Sequence, residues 1–395
     1  LLLTVLSFPF YLYPKQLGGQ AFSLAEMLTL LCFGAYLVRG LGMRRWHWDG
    51  AFRLPALFFL GVALLSLWAS ADLRLSLREL RTVVIEPVLF YVMAVAAFGR
   101  DQRSLPRSAL LWALLTTGVV AAAQAVAQYF VTGQVITAEG VRRALGPYGS
   151  PNNLGMLLER ILPLGLALLL YSRASLLTHH RTVRAILVVC CVLLVMTIVL
   201  TYSIGGWLGA IAGLLVFAAQ RGRRQDMFLL VGLSLAVVIA LPVLRVERVV
   251  SHLSLHGETT ASIRLDLWQS SLEMIADHPL QGVGLDGFLE QYRSRYIRPT
   301  AWREPDLSHP HNLILEWWLF LGILGVPALL WFLVAFFGRM RRLLVQVTMQ
   351  QRVLAQGVMA AMAAAVAHGL VDRFYFGSPD LAFIFFALLA AGEIE

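Results

Sequence analysis

The residues best suited to chemistry lie in Asp306-Leu307-Ser308-His309-Pro310-His311-Asn312-Leu313-Ile314-Leu315-Glu316-Trp317-Trp318, where a long polar segment meets a long apolar run. Imidazole is the side chain best matched to proton transfer near pH 7, and two stand here one residue apart. Pro310 suits the first position of a helix, where its missing N–H has no partner to lose. That puts His311 in the first helical turn. The positive end of the helix disfavours imidazolium, so His311 is expected to be neutral and able to accept a proton. Asn312 and Glu316 are four apart and can pair on one face, whereas His311 and Glu316, five apart, do not share one. Trp317 and Trp318 fit an aromatic belt at a membrane interface. The competing reading of His311 is a cap or anchor without chemistry. Zinc is the weaker idea, because His-x-His is a loose pattern and no cysteine or carboxylate stands at ligand spacing. No metal is therefore expected.

Arginines supply the matching positive charge. Arg142 and Arg143 precede Gly146-Pro147-Tyr148-Gly149-Ser150-Pro151-Asn152-Asn153-Leu154-Gly155, in which the glycines allow a tight turn and Pro151 opens a helix. Free N–H groups at a helix start beside two guanidinium groups make an anion site; an ordinary turn with two solvated arginines is the alternative. Arg264 falls in Ser262 to Ala276, where Leu265, Trp268, Leu272 and Ile275 recur at helical spacing until Asp277-His278-Pro279 ends the run. This reads as a helix on the membrane surface or packed over the spans, with Arg264 either solvated or aimed at their mouth. Arg293, Arg295, Arg298 and Arg303 read as solvated or on lipid headgroups. Gln281 to Phe288 contains G-x-G-x-x-G, but no strand precedes it, so it is a turn and not a dinucleotide site. Charges inside spans cost about 2.5–3.5 kcal/mol each on insertion scales and are site candidates by default. Here these are Glu86, Glu159, Arg160, His368, Asp372 and Arg373, with Glu159 and Arg160 suited to pairing with other spans.

The elements that must position these residues are membrane helices. A mean hydropathy of +0.72 with 14% charged residues excludes a soluble globular domain. Apolar runs of about 17–25 residues exclude a barrel. The fold class expected is an all-α integral membrane protein of about twelve transmembrane helices, with one large periplasmic loop containing short helices. The spans fall at roughly 1–13, 21–39, 53–70, 82–98, 108–131, 151–171, 185–202, 204–220, 226–244, 312–337, 352–371 and 379–393. Spans 1–9 thus occupy 1–244, the loop 245–311, and spans 10–12 312–395. Arginines follow the even-numbered spans: Arg39, Arg44, Arg45 and Arg53; Arg100, Arg103 and Arg107; Arg173, Arg181 and Arg184; Arg221, Arg223 and Arg224; and Arg339, Arg341, Arg342 and Arg352. The positive-inside rule places these loops and both chain ends in the cytoplasm, and the histidines outside it. Net charge is +9, with Lys15 the sole lysine. That basic balance suits orientation and membrane lipids; no basic stripe on a soluble domain points to nucleic acid. Cys32, Cys190 and Cys191 lie in apolar runs and read as small hydrophobes.

Several of these pieces, taken in order, resemble the O-antigen ligase family, within a superfamily of multi-span ligases and polymerases that are glycosyltransferases. They are Gly149-Ser150-Pro151-Asn152-Asn153; Arg264-x-x-x-Trp268; His278-Pro279-Leu280-x-Gly282-Val283-Gly284-x-x-x-Phe288; and His309-Pro310-His311-Asn312 with Glu316. The resemblance covers most of the chain. It implies transfer of a polysaccharide from undecaprenyl pyrophosphate to a sugar of lipid A-core, on the periplasmic face of the Gram-negative inner membrane. It also implies His311 as base, and Arg142, Arg143 and Arg264 on the diphosphate, with no cofactor, metal or ATP. Asn152, Asn153, His309, Asn312 and Glu316 would bind substrate. With one candidate base and no carboxylate nucleophile, a single inverting step is expected. Thr201-Tyr202-Ser203-Ile204-Gly205-Gly206-Trp207 departs from the family pattern at Ile204, where relatives often carry arginine, so no phosphate role is carried to that position. An O-antigen polymerase and a protein O-oligosaccharyltransferase share the chemistry and stay open. A lipid-linked glycan transporter is the reading from another class; it should show related halves and midplane charges.

Overall fold

The computed structural model describes residues 1–11, 13–17, 20–43, 50–98, 108–138, 140–174, 180–222, 260–302 and 304–393. The ninth expected span, the start of the long loop and Arg303 lie outside the described residues. So do Arg44, Arg45, Arg100, Arg103, Arg107, Arg223 and Arg224.

Among the described residues the architecture is all-α, as the apolar runs require, with two short hairpins added. Six helices are long and apolar enough to cross a membrane: Leu24–Gly42, Leu73–Phe98, Ser108–Thr132, Pro151–Ser172, Arg181–Leu200 and Ile204–Arg221. Arg53–Ala69 and Pro379–Gly392 are apolar but shorter. The first expected span shrinks to α1 (Leu2–Ser7) and a following turn of 3-10 helix.

The expected span 312–337 is broken. α12 (Leu313–Leu321) ends at Gly322, whose φ of +73° only glycine adopts without strain, and α13 (Gly325–Gln346) starts anew. The Ile323 amide donates to the Leu280 carbonyl at 3.0 Å, and a Cβ on Gly322 would overlap that same carbonyl. The preceding loop is therefore locked into the gap. Its glycines Gly282 and Gly284 have φ of +65° and +79°, so the Gly-x-Gly segment is a turn, as expected.

Around the site, α7 (Pro151–Ala174) starts at Pro151 as expected, and α9 (Ile204–Arg221) starts behind the Ser203 cap. Both pack against α14 (Met349–Gly369). The contact is close because small residues line it: Gly209 and Gly213 of α9 face Ala364, and Gly357 of α14 faces Ala167 and Pro163. α15 (Pro379–Gly392) is buried from Asp380 to Gly392, apolar on all sides as a central helix must be. The turn between α14 and α15, residues 370–378, thus emerges from the middle of the bundle.

The segment around Arg264 is α10 (Thr260–Asp277). Its buried face follows the expected stripe only in part, at Ile275 and the half-buried Trp268. Leu265 and Leu272 are exposed, while Ile263, Leu267, Ser270, Ser271 and Met274 face inward. Two serines on the inner face let α10 approach closely; they donate to carbonyls at Tyr296 and Leu267.

Candidate active site

Asp372 is where the polar side chains converge, and it comes from the turn after α14. Its Oδ1 lies 2.6 Å from His311 Nδ1, and Oδ2 accepts from Arg264 Nη2 at 2.9 Å and from Asn152 Nδ2 at 3.1 Å. The Arg373 amide also donates to Oδ1, at 2.8 Å. Burial alone would raise the Asp372 carboxyl, but His311 bonded to it, with the His309 and His368 rings nearby, holds it well below the usual carboxylate range. Asp372 is therefore an anion among donors.

His311 reaches Asp372 by a route other than the expected one. Pro310 does not open the helix. Asn312 is the N-cap, its Oδ1 accepting from the Ile314 and Leu315 amides, and the helix begins at Leu313. His311 sits before the cap with φ of +50°, a left-handed backbone that a non-glycine residue holds only when its surroundings fix it. Those surroundings are Asp372 on the ring and Trp268 Nε1, which donates to the His311 carbonyl at 3.3 Å. Arg264 and Trp268, one turn apart on α10, thus grip both partners of the same pair. The spacing Arg264-x-x-x-Trp268 is explained by this.

His309 stacks near His311, ring centroids 4.1 Å apart, with its Nδ1 accepting from Arg373 Nη2 at 2.8 Å. Burial, then the Arg373 guanidinium and His311, hold the His309 imidazole well below the usual histidine range. It is a neutral acceptor at pH 7.

Arg142 and Arg143 separate. They are successive residues of β4 (Val141–Arg143), paired with β3 (Ile136–Ala138), so their side chains leave on opposite sides. Arg143 donates to Asn152 Oδ1 and to the Thr201 carbonyl, each at 2.8 Å, which joins it to Asp372 through Asn152. Arg142 instead donates to the Tyr129 carbonyl and lies over the Tyr129 ring. The structure therefore does not bring Arg142 to the Asp372 cluster. Asn153 also turns away, its Nδ2 3.4 Å from the Tyr11 hydroxyl.

Glu316 and Asn312 do not pair. Asn312 Nδ2 donates to the Leu370 carbonyl, while the buried Glu316 carboxylate accepts from the Phe374 and Phe376 amides at 3.2 and 3.1 Å. Both residues clamp the turn that carries Asp372. Trp317 is core, packed on Phe59, Tyr375 and Phe376, and only Trp318 is partly exposed. Arg293 and Arg298 pair with Asp306 and Glu273. Glu86 pairs with Arg81, away from this cluster.

Sequence spacing missed the carboxylate at ligand distance. His309, His311 and Asp372 bring donor atoms within 4.8 Å of one another, a set able to hold a cation. Yet Arg264 already contacts Asp372, and Arg373 contacts His309. A divalent ion there would sit against two guanidinium charges, so the donor set suits proton transfer and anion binding better. Three arginines (Arg143, Arg264 and Arg373) against one carboxylate leave the cluster net cationic.

Comparison with known proteins agrees with the motifs. A protein from Haemophilus influenzae described as an uncharacterized protein is 25% identical over 156 residues, covering 35% of this chain and 39% of its own length. This chain therefore spans less than half of that relative. Residues 189–332 match the family model described as O-antigen ligase, a stretch that holds Arg264, His309, His311, Asn312 and Glu316. Over that segment the chain is similar to the O-antigen ligase family, in line with the resemblance in its motifs.

Proposed function

We propose that the protein transfers an O-antigen polysaccharide from undecaprenyl pyrophosphate to a sugar hydroxyl of lipid A-core, in one inverting step on the periplasmic face of the inner membrane. The reading takes about twelve spans, both chain ends in the cytoplasm and the Asp372 cluster near the outer interface.

In this step the acceptor oxygen attacks the anomeric carbon of the donor. The bond from that carbon to the diphosphate oxygen breaks, and its electron pair leaves with the diphosphate. The acceptor proton goes to His311. With Nδ1–H donated to Asp372, the Nε2 lone pair is the one available to take it. Asp372 fixes the ring and balances the imidazolium that forms. Arg264, Arg143 and Arg373 offer charge-assisted hydrogen bonds to the departing phosphate oxygens, so neither a metal nor ATP is required. The sugar–pyrophosphate linkage carries the driving force.

The observation that carries this reading is the 2.6 Å contact between His311 and Asp372 with Arg264 on the second carboxylate oxygen. One experiment tests it. Purified protein in nanodiscs is given undecaprenyl-linked glycan with either lipid A-core or a serine-rich acceptor protein. Labelled lipid A-core, lost in H311A, is the expected result. Labelled protein would reassign the acceptor, and full transfer by H311A would remove the mechanism.

A further inference from the structure

A second histidine–carboxylate pair lies directly beneath the first. His368, on α14, has its Nδ1 2.7 Å from Glu159 Oε2 on α7, and both side chains are fully buried. His368 Nε2, on the other side of the ring, is buried without a hydrogen-bond partner and points toward Asp372 Oδ2 at 3.8 Å. Arg160 approaches Glu159 at 4.0 Å and donates to the Phe374 carbonyl, within the turn that carries Asp372.

The bundle makes space for this pair. Gly205 and Gly209 are one turn apart on α9. A Cβ at Gly205 would overlap the His368 ring, and one at Gly209 would overlap the Glu159 carboxylate. Glycine at both positions costs helix stability, so the close approach has a use. It also gives the Ile204-Gly205-Gly206 motif a role that does not depend on arginine at Ile204.

We infer that Glu159 and His368 are positioning residues for the transfer reaction: together they hold Asp372 at the height and rotation at which its Oδ1 meets His311. The inference rests on the proposed role of His311. Glu159 restrains the His368 ring from α7. His368, four residues before Asp372 on the same chain, then presents Nε2 to Oδ2 from below, while Arg264 and Asn152 hold that oxygen from the sides. A misplacement of about 1 Å at a reacting group can cost about 10²-fold in rate, so a loss of about 10-fold is expected when this support is weakened.

The test uses the full-length protein in nanodiscs. E159Q keeps the shape of the side chain and removes its charge. Expected are a kcat lowered about 10-fold, a KM for the lipid-linked donor unchanged, and a displaced acid limb of the kcat–pH profile. In a D372N background, E159Q should cause no further loss, since Asp372 is the residue it acts through. H368Q carries the same expectations and serves if E159Q does not accumulate. The inference is overturned if both variants keep the wild-type kcat and pH profile, or if their only change is a lower melting temperature. It is also overturned if E159Q lowers the rate as strongly with D372N as without it. H311A run in parallel separates the two claims. If H311A is inactive while E159Q is normal, only the positioning role fails; an active H311A removes the reaction scheme itself.

Discussion

Two histidine–carboxylate pairs stand one above the other in this molecule, and their chemistry differs because their exposure differs. His311 and Asp372 meet at 2.6 Å, with 13% of the histidine side chain exposed. His368 and Glu159 meet at 2.7 Å with none of either side chain exposed. The upper pair contacts the Arg264 guanidinium, is linked to those of Arg143 and Arg373 through Asn152 and His309, and is partly exposed. The lower pair is sealed by glycines and helix backbone, and can act only on what it touches. The same pairing of imidazole with carboxylate is thus open to a substrate in one place and sealed in the other, a distinction set by packing.

The sharpest way to break this contrast is to remove one member of the open pair. H311A should lower glycan transfer by about 10²–10⁴-fold, the range for loss of a general base, with normal membrane insertion. D372N keeps the volume but removes the charge that balances the imidazolium, and a loss of about 10²-fold or more in kcat is expected. Both are read by single-turnover transfer of labelled glycan. R264A should follow with about 10²-fold, since it withdraws a donor from Asp372 and, in the proposed reaction, from the leaving diphosphate. Activity in all three variants should resist chelator. Strict dependence on added Mg²⁺ in the wild type would instead make His309, His311 and Asp372 a metal centre.

His311 and Arg264 were legible in the sequence because each sits in a local pattern that a helix or its start explains. Asp372 was legible only as one costly charge among six, because its partners lie 61 and 108 residues away in the chain. No spacing rule spans that distance. The same limit hid the function of Glu316. Four residues from Asn312 it looked like a helix-face partner, yet it caps a turn 58 and 60 residues further on. The separation of Arg142 from Arg143 was hidden for a different reason: only the pairing of β3 with β4 sends the two side chains to opposite sides. Six long apolar helices were legible from apolar length, since backbone satisfaction in lipid leaves few options. The break at Gly322 was not, because glycine is common in membrane helices and only the Leu280 carbonyl beside it requires a positive φ.

Stability should separate clamp from chemistry. E316L would leave the buried Phe374 and Phe376 amides without an acceptor, at roughly 1–3 kcal/mol for each lost partner. The expected result is a lower melting temperature together with reduced activity, because the turn that carries Asp372 loses its anchor. A variant with wild-type melting and no activity would place Glu316 in the chemistry and blur the distinction between scaffold and site.

The smallest expected effect concerns pH, and it is specific to the open cluster. The His309 imidazole is held well below its usual range by burial and by Arg373. In the unfolded chain it takes up a proton near pH 6.5, while in the folded protein it does not. The unfolded state therefore binds more protons as pH falls below about 6.5, and folded-state stability declines over that window. H309Q removes this contribution and keeps a group able to accept from Arg373. Between pH 7.5 and 5.5 the melting temperature of the wild type should fall further than that of H309Q. Equal slopes would mean that His309 takes up its proton in the folded state as readily as in the unfolded one, and the neutral acceptor assigned beside Arg373 would have to be withdrawn.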